Sequence, residues 1–245
     1  GDGMIAWAWD AGTSTVSNTD GDITSQVRAS QTAGFSIVKY SGSGTDGDEV
    51  GHGLNAKPES IWFKGLKDGD DWQVWNSGLG GVDFQLFLNT DGSRQTRSTV
   101  LNSTEPTSSV FTLGNYDDVN ASGTDYIAYC FAPVAGYSSF GSYEGNGSAS
   151  DGPFVNLNFA PAFLLVKRYD STGSWILVDQ TRGEDKAVYP NQDISESSAS
   201  FSWVDLVSNG FKIRSSDTAV NADGGDYVYW AFASNPFSSN GGLAR

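Results

Sequence analysis

Asp125-Tyr126-Ile127-Ala128-Tyr129-Cys130-Phe131-Ala132 occurs again as Asp226-Tyr227-Val228-Tyr229-Trp230-Ala231-Phe232-Ala233. Each copy is a short run of β-branched and aromatic residues and reads as a strand. The same turn leads into both: Val119-Asn120-Ala121-Ser122-Gly123-Thr124 in the first, Val220-Asn221-Ala222-Asp223-Gly224-Gly225 in the second. A worn third version, Met4-Ile5-Ala6-Trp7-Ala8-Trp9, opens the chain, with only Gly1-Asp2-Gly3 in place of the turn. It reads as the last strand of a unit that is missing. That points either to a C-terminal piece of a longer protein or to a strand that pairs with the sheets of the following unit.

Working outward, the order of segments repeats. Laying Tyr40 on Tyr143 also places Gly42 on Gly145, Gly44 on Gly147, Leu54 on Leu157 and Pro58 on Pro161. The same shift places Lys64 on Lys167, Trp72 on Trp175 and Gly80 on Gly183. The copies then diverge by two or three residues and re-register at Phe111 with Phe211 and Val119 with Val220. A unit of this length is too long for a solenoid turn and fits a small sandwich. The expected fold is all-β: two tandem antiparallel β-sandwich (jelly-roll-like) domains related by an internal repeat. The divisions are residues 1–33 (a terminal strand plus polar connection, with one edge strand near Ile23 to Val27), 34–135 and 136–245. Strands are expected at Phe35–Tyr40, Ser60–Lys64, Trp72–Trp75, Phe84–Leu88 and Ser109–Leu113. The best helix candidate is Ser202 to Val207, closed by Asn209-Gly210, and it is only about two turns long.

Composition narrows the function. Of 245 residues, 29 are acidic and 14 basic, a net charge of -15 that argues against a nucleic-acid partner and an anionic membrane surface. No apolar run approaches the ~20 residues of a membrane span. The start lacks the charged and apolar regions of a signal peptide. The lone cysteine, Cys130, leaves no disulfide within the chain and reads as a small buried residue.

Catalytic chemistry finds little support. Most aspartates sit in Gly-containing turns, which they favour for backbone reasons. Among the glutamates Glu144 lies in the well-registered part, opposite Ser41. The single histidine, His52 in Gly51-His52-Gly53, reads as a solvent-facing loop residue with no nucleophile elbow to serve. One histidine and one cysteine do not make an ordinary zinc site. Asp68, Asp70 and Asp71 crowd one turn, where oxygen-rich loops can hold a hard cation. The opposite turn, Asp170-Ser171-Thr172-Gly173, carries far less charge. The simpler reading is a solvated turn, with no metal and no cofactor.

The repeat separates structure from site, since two units need the same fold but not the same function. Trp72 and Trp175 are therefore read as core tryptophans beside a hairpin, Pro58 and Pro161 as strand starts, and Gly42 and Gly145 as turn positions with positive φ. Aromatics without a counterpart are the candidate carbohydrate-binding platforms: Trp75 (opposite Val178), Tyr189 and Trp203.

Several phrases carry a resemblance: Gly145-Asn146-Gly147-Ser148, Asp151-Gly152-Pro153-Phe154, Pro161 to Lys167, Ser208-Asn209-Gly210-Phe211-Lys212, and Ala231 to Phe237, together with the recurrent strand. From about Gly34 onward the chain resembles the C-terminal regions of tail or fibre proteins of marine phages, and the final Ala244-Arg245 looks like that family's usual end. The resemblance implies a non-enzymatic virion surface protein, a tail fibre or head decoration working in assembly and host-surface attachment. It implies a homo-oligomer, most often a trimer, among other virion proteins, with a host glycan as a candidate ligand. It brings no catalytic residues. The alternatives from the residues are a carbohydrate-binding module or carbohydrate-active enzyme, and a structural cement or filament protein.

Overall fold

The structure is a computed structural model that describes residues 6–67, 69–198 and 202–233. Met4 and Ile5 of the opening run, Asp68, Ser234 to Phe237 and Ala244-Arg245 lie outside the described residues. The first half contains β1 (Val16–Asn18), β2 (Ser25–Ser30), β3 (Phe35–Ser41), β4 (Glu49–Gly51), β5 (Ser60–Gly65), β6 (Gln73–Asn76), β7 (Phe84–Phe87), β8 (Gln95–Thr96), β9 (Val110–Thr112) and β10 (Asp125–Phe131). The second contains β11 (Ser138–Glu144), β12 (Phe154–Asn156), β13 (Pro161–Arg168), β14 (Ile176–Asp179), β15 (Lys186–Ala187), β16 (Ser197–Ser198), β17 (Val204–Val207), β18 (Gly210–Ile213) and β19 (Asp226–Ala233). Among the described residues the single-turn α-helices are α1 (Ser98–Leu101), α2 (Asp117–Asn120) and α3 (Thr218–Asn221), with a 3-10 turn at Ser77–Leu79. The fold is all-β, and every ladder between named strands is antiparallel.

The recurrent stretch forms a central strand in each half. β10 lies between β3 and β5 in an eight-stranded sheet ordered β1-β2-β3-β10-β5-β6-β7-β8. β19 lies between β11 and β13 in a four-stranded sheet ordered β11-β19-β13-β14. The turn before each strand recurs because it pins the strand to the rest of its unit. The Asn120 amide nitrogen donates to the carbonyls of Thr45 and Gly114 at 2.9 and 2.8 Å, and its oxygen accepts from the Ser43 N–H at 2.9 Å. Asn221 does the same with Ser148, Ser215 and the Asn146 N–H at 2.9, 2.8 and 2.8 Å. The Tyr40 hydroxyl donates to the Val119 carbonyl at 2.8 Å, and that of Tyr143 to Val220 at 2.7 Å. Tyr126 and Tyr227 each accept from the backbone N–H of the residue after the asparagine, at 2.9 and 2.7 Å. Each of these buried polar groups is thereby satisfied, which makes the network specific as well as stable.

Gly42 and Gly145 are needed for a different reason than positive φ. A Cβ on them would stand 2.5 Å from the Ala121 carbonyl oxygen and 2.3 Å from that of Ala222. Left-handed backbone occurs two residues later, at Gly44 (φ 76) and Gly147 (φ 69).

Each unit closes its core with a smaller sheet. β4-β9 covers Ile61, Phe63, Trp75, Tyr126 and Cys130, all fully buried, from the first sheet. β12-β18-β17 covers Tyr143, Leu164, Val166 and Tyr227 from the second. The opposite faces of the two large sheets pack on each other, so one apolar cluster runs from Phe35, Val74 and Phe131 to Leu165, Trp230 and Phe232. Trp230 donates its indole N–H to Ser60 Oγ at 2.9 Å and meets Trp62 edge-on at 5.9 Å. Trp175 donates to the Phe87 carbonyl at 3.0 Å. Arg94 lies between the rings of Phe84 and Tyr169, 4.2 and 4.7 Å from their centroids.

Three expectations are corrected. Residues 6–9 form no strand; Trp7 and Trp9 instead wedge against Phe163, with Trp9 also touching Phe35, Phe131 and Phe232. The segment near Ile23–Val27 yields β2, an interior strand between β1 and β3 and not an edge. Ser202 to Val207 holds β17, paired with β18 across the two residues Ser208 and Asn209. The β-branched Val204 and Val207 favour a strand, and Ser208-Asn209 form the two-residue connection to Gly210, which pairs with Val207.

Because the apolar cluster spans both units, the chain is expected to melt in one transition. Trp230→Ala is expected to destabilise the whole chain by about 3–5 kcal/mol. Calorimetry showing two separate transitions, one of them untouched by the substitution, would contradict the shared core.

Candidate functional site

The offset packing of the two sheets leaves one unit covered and the other partly open. In the second unit Trp175 and Trp230 are buried beneath the first. The equivalent pair of the first unit, Trp72 and Tyr129, stack at 6.1 Å with rings inclined by 20° and stay only half-buried. They line a cleft of about 210 Å³ with Trp9, Phe35, Trp62, Leu88 and Phe131. Trp72 is therefore not the core residue that its counterpart Trp175 is. Its backbone is held the same way, since the Trp72 N–H donates to Asn89 Oδ1 and that of Trp175 to Asn191 Oδ1, both at 3.0 Å. The difference lies in what covers the ring.

All seven lining side chains are aromatic or aliphatic. Their polar atoms are the Tyr129 hydroxyl and the indole N–H groups, and the Trp62 Nε1 is buried without a partner. Such a lining suits an apolar side chain or segment better than a sugar, which needs several hydrogen-bond partners beside a stacking face.

The aromatics selected from the sequence do not converge here. Trp75 is fully buried in the first unit's core and Trp203 is 6% exposed, so neither offers a face to a sugar ring. Tyr189 is half-buried and its hydroxyl contacts Ser197 Oγ at 2.8 Å, on the far unit. Lack of a counterpart marked residues that fill differences between the two cores. The cleft is built instead from positions whose counterparts exist but are covered.

The ionisable candidates also moved. His52 is fully buried, against the expectation of a loop residue facing solvent. Its Nδ1 accepts from the Leu54 N–H at 3.3 Å, so the proton sits on Nε2, 3.3 Å from the Thr107 carbonyl. Burial pushes its pKa down to about 4, keeping the ring neutral. Cys130 is buried and its thiol is pushed up to about 12 by burial, which removes it as a nucleophile at neutral pH. Lys167 is buried between the units, donating to the Asp91 carbonyl at 3.3 Å, and burial lowers its pKa to about 8. A hollow of about 380 Å³ beside Ser215, Ser216 and Asp217 contains Arg214, but its guanidinium is already bound to Asp205 Oδ2 at 2.5 Å. Among the described residues no group of three or more His, Cys, Asp and Glu side chains is arranged to hold a metal ion.

Residues 1–236 match a family described as a domain of unknown function (DUF7483). The chain belongs to that family. The match spans both units and the interface between them, and it carries no activity with it. No curated protein and no solved structure matches the chain. Among the described residues no helix is long and apolar enough to cross a membrane.

His52 supplies a pH test. Its folded pKa lies below the unfolded value of 6.5, so its stabilising burial is complete above 6.5 and is lost as pH falls towards 4. The loss is expected to reach about 3 kcal/mol. Denaturant titrations across this range should show the decline, and His52→Gln should flatten it at a constant cost. An unchanged slope in the variant would assign the acid sensitivity to other groups.

Proposed function

We propose that this chain is a non-enzymatic structural module of a virion surface, working in assembly and host-surface attachment, and that it assembles as a homo-oligomer. The observation that carries the reading is the aromatic cleft of the first unit, an apolar opening whose equivalent in the second unit is already filled by the chain itself. Contact surfaces of this kind, with aromatic anchors around a shallow depression, are where association energy concentrates. The resemblance of the recurrent phrases to phage tail and fibre proteins supplies the setting, and the acidic surface suits a particle exterior that must stay soluble. In this reading the cleft receives an apolar segment from a neighbouring subunit or virion protein.

The carbohydrate alternative is weaker on this geometry, because Trp75 and Trp203 are buried and the cleft has few polar groups. Sedimentation of the full chain over a wide concentration range tests the proposal. A concentration-dependent oligomer is expected, and Trp72→Asp is expected to shift it to monomer while moving the melting temperature by only a few degrees, since Trp72 is half-buried. A chain that stays monomeric, or an oligomer that ignores the substitution, removes the cleft from assembly. Glycan binding lost in Trp72→Asp would favour the carbohydrate reading.

A further inference from the structure

A corner of the first unit differs from its counterpart in a way packing does not require. Gly65, at the end of β5, stands where the second unit has Arg168. There Arg168 makes a two-pronged bond to Asp170, Nε to Oδ1 at 2.8 Å and a terminal nitrogen to Oδ2 at 2.9 Å. In the first unit the space is taken by a carboxylate: a Cβ on Gly65 would fall 1.8 Å from Asp70 Oδ2. Around it stand Gln73 and Asp118, at positions where the second unit has Ile176 and Ala219. Asp70 itself is opposite Gly173. One unit therefore carries a cationic corner that is internally paired, and the other an acidic one.

The acidic corner has unused acceptors. The Asp70 side chain is 6% exposed and its Oδ2 has no hydrogen-bond partner. Gln73 is fully buried; its amide nitrogen donates to Asp118 Oδ2 at 2.9 Å, which directs the amide head into the cluster and leaves Oε1 without a partner. Two cations lie nearby: Lys64 Nζ donates to the Asp70 backbone carbonyl at 2.5 Å, and Lys67 Nζ, itself 40% exposed, lies 3.4 Å from Asp70 Oδ1, but Oδ2 has neither as a partner. Asp71 accepts from Asn89 Nδ2 at 2.8 Å. Buried acceptors with no donor are costly, and a cation relieves both the orphaned oxygens and the mutual repulsion.

We propose that this corner is a binding site for a hard divalent cation of the calcium class, held by Asp70 Oδ2, Gln73 Oε1 and the Asp118 carboxylate, with water completing the shell. Oxygen donors alone and a mixed carboxylate–amide set suit calcium, which tolerates irregular geometry, better than magnesium, which requires a near-ideal octahedron. Two carboxylates with one neutral oxygen place the affinity in the weak range of extracellular modules, with Kd about 10⁻⁴–10⁻³ M.

Melting of the full chain after chelation, then with added CaCl₂ against NaCl of equal ionic strength, tests the site. Calcium is expected to raise Tm by several degrees beyond the sodium control, saturating with a single-site dependence. Asp118→Asn and Asp70→Asn, which keep shape, are each expected to weaken the response at least about tenfold. Asp193→Asn, an exposed aspartate of the second unit, is expected to leave it unchanged. Terbium offers a readout independent of stability, because Tyr116, two residues from Asp118 and close enough to feel its charge, can sensitise a bound ion. The proposal is overturned by a calcium response no larger than sodium's, by an undiminished response in Asp118→Asn, or by magnesium binding as tightly as calcium.

Discussion

The contact between the two large sheets is the constraint from which the remaining features follow. Trp230 sits at its centre, with its ring against Trp62 and its N–H on Ser60 Oγ. Ser60 Oγ in turn donates to the Trp75 carbonyl at 2.8 Å, so the indole is tied through one hydroxyl to the backbone of β6. Burying Trp230 and Trp175 with both indole N–H groups bonded, to Ser60 Oγ and to the Phe87 carbonyl, is worth several kcal/mol and admits few other orientations. That seating fixes the offset of one sheet on the other. The offset then determines that Trp175 is covered, that Trp72 is not, and that Trp9 has an apolar shelf to lie on.

Much of the fold could be read from the sequence because its signals are local. The strand runs are short, rich in β-branched and aromatic residues, and separated by glycine and asparagine turns. Asn120 and Asn221 recur because each amide must serve several backbone groups at once, and no other residue offers that geometry with that length. The identity of Trp72 and Trp175 misled for the opposite reason. Both keep the same backbone anchor, but burial of the rings is decided by a surface far away in the chain. His52 shows the same limit, since a glycine on either side suggests exposure while the fold closes over it.

The candidate sites were less legible. The turn at Asp68 to Asp71 was visible as a charge cluster, but Gln73 and Asp118 join it only through folding, and nothing in the run of residues around Asp118 announces a partner more than forty positions away. A signal did exist in the comparison of the two copies. Polar residues opposite Ile176, Ala219 and Gly173 mark positions where the first unit carries charge or polarity that its twin does without. Aromatic singletons such as Trp75 and Trp203 gave a poorer guide, because differences between two cores are filled by aromatics as readily as differences between two surfaces.

The four layers also have a consequence for growth. β4-β9 caps one end of the stack and β12-β18-β17 caps the other, while the two inner faces are spent on each other. Such a stack is self-terminating: a further unit laid against either end would meet a sheet whose apolar side is already turned inward.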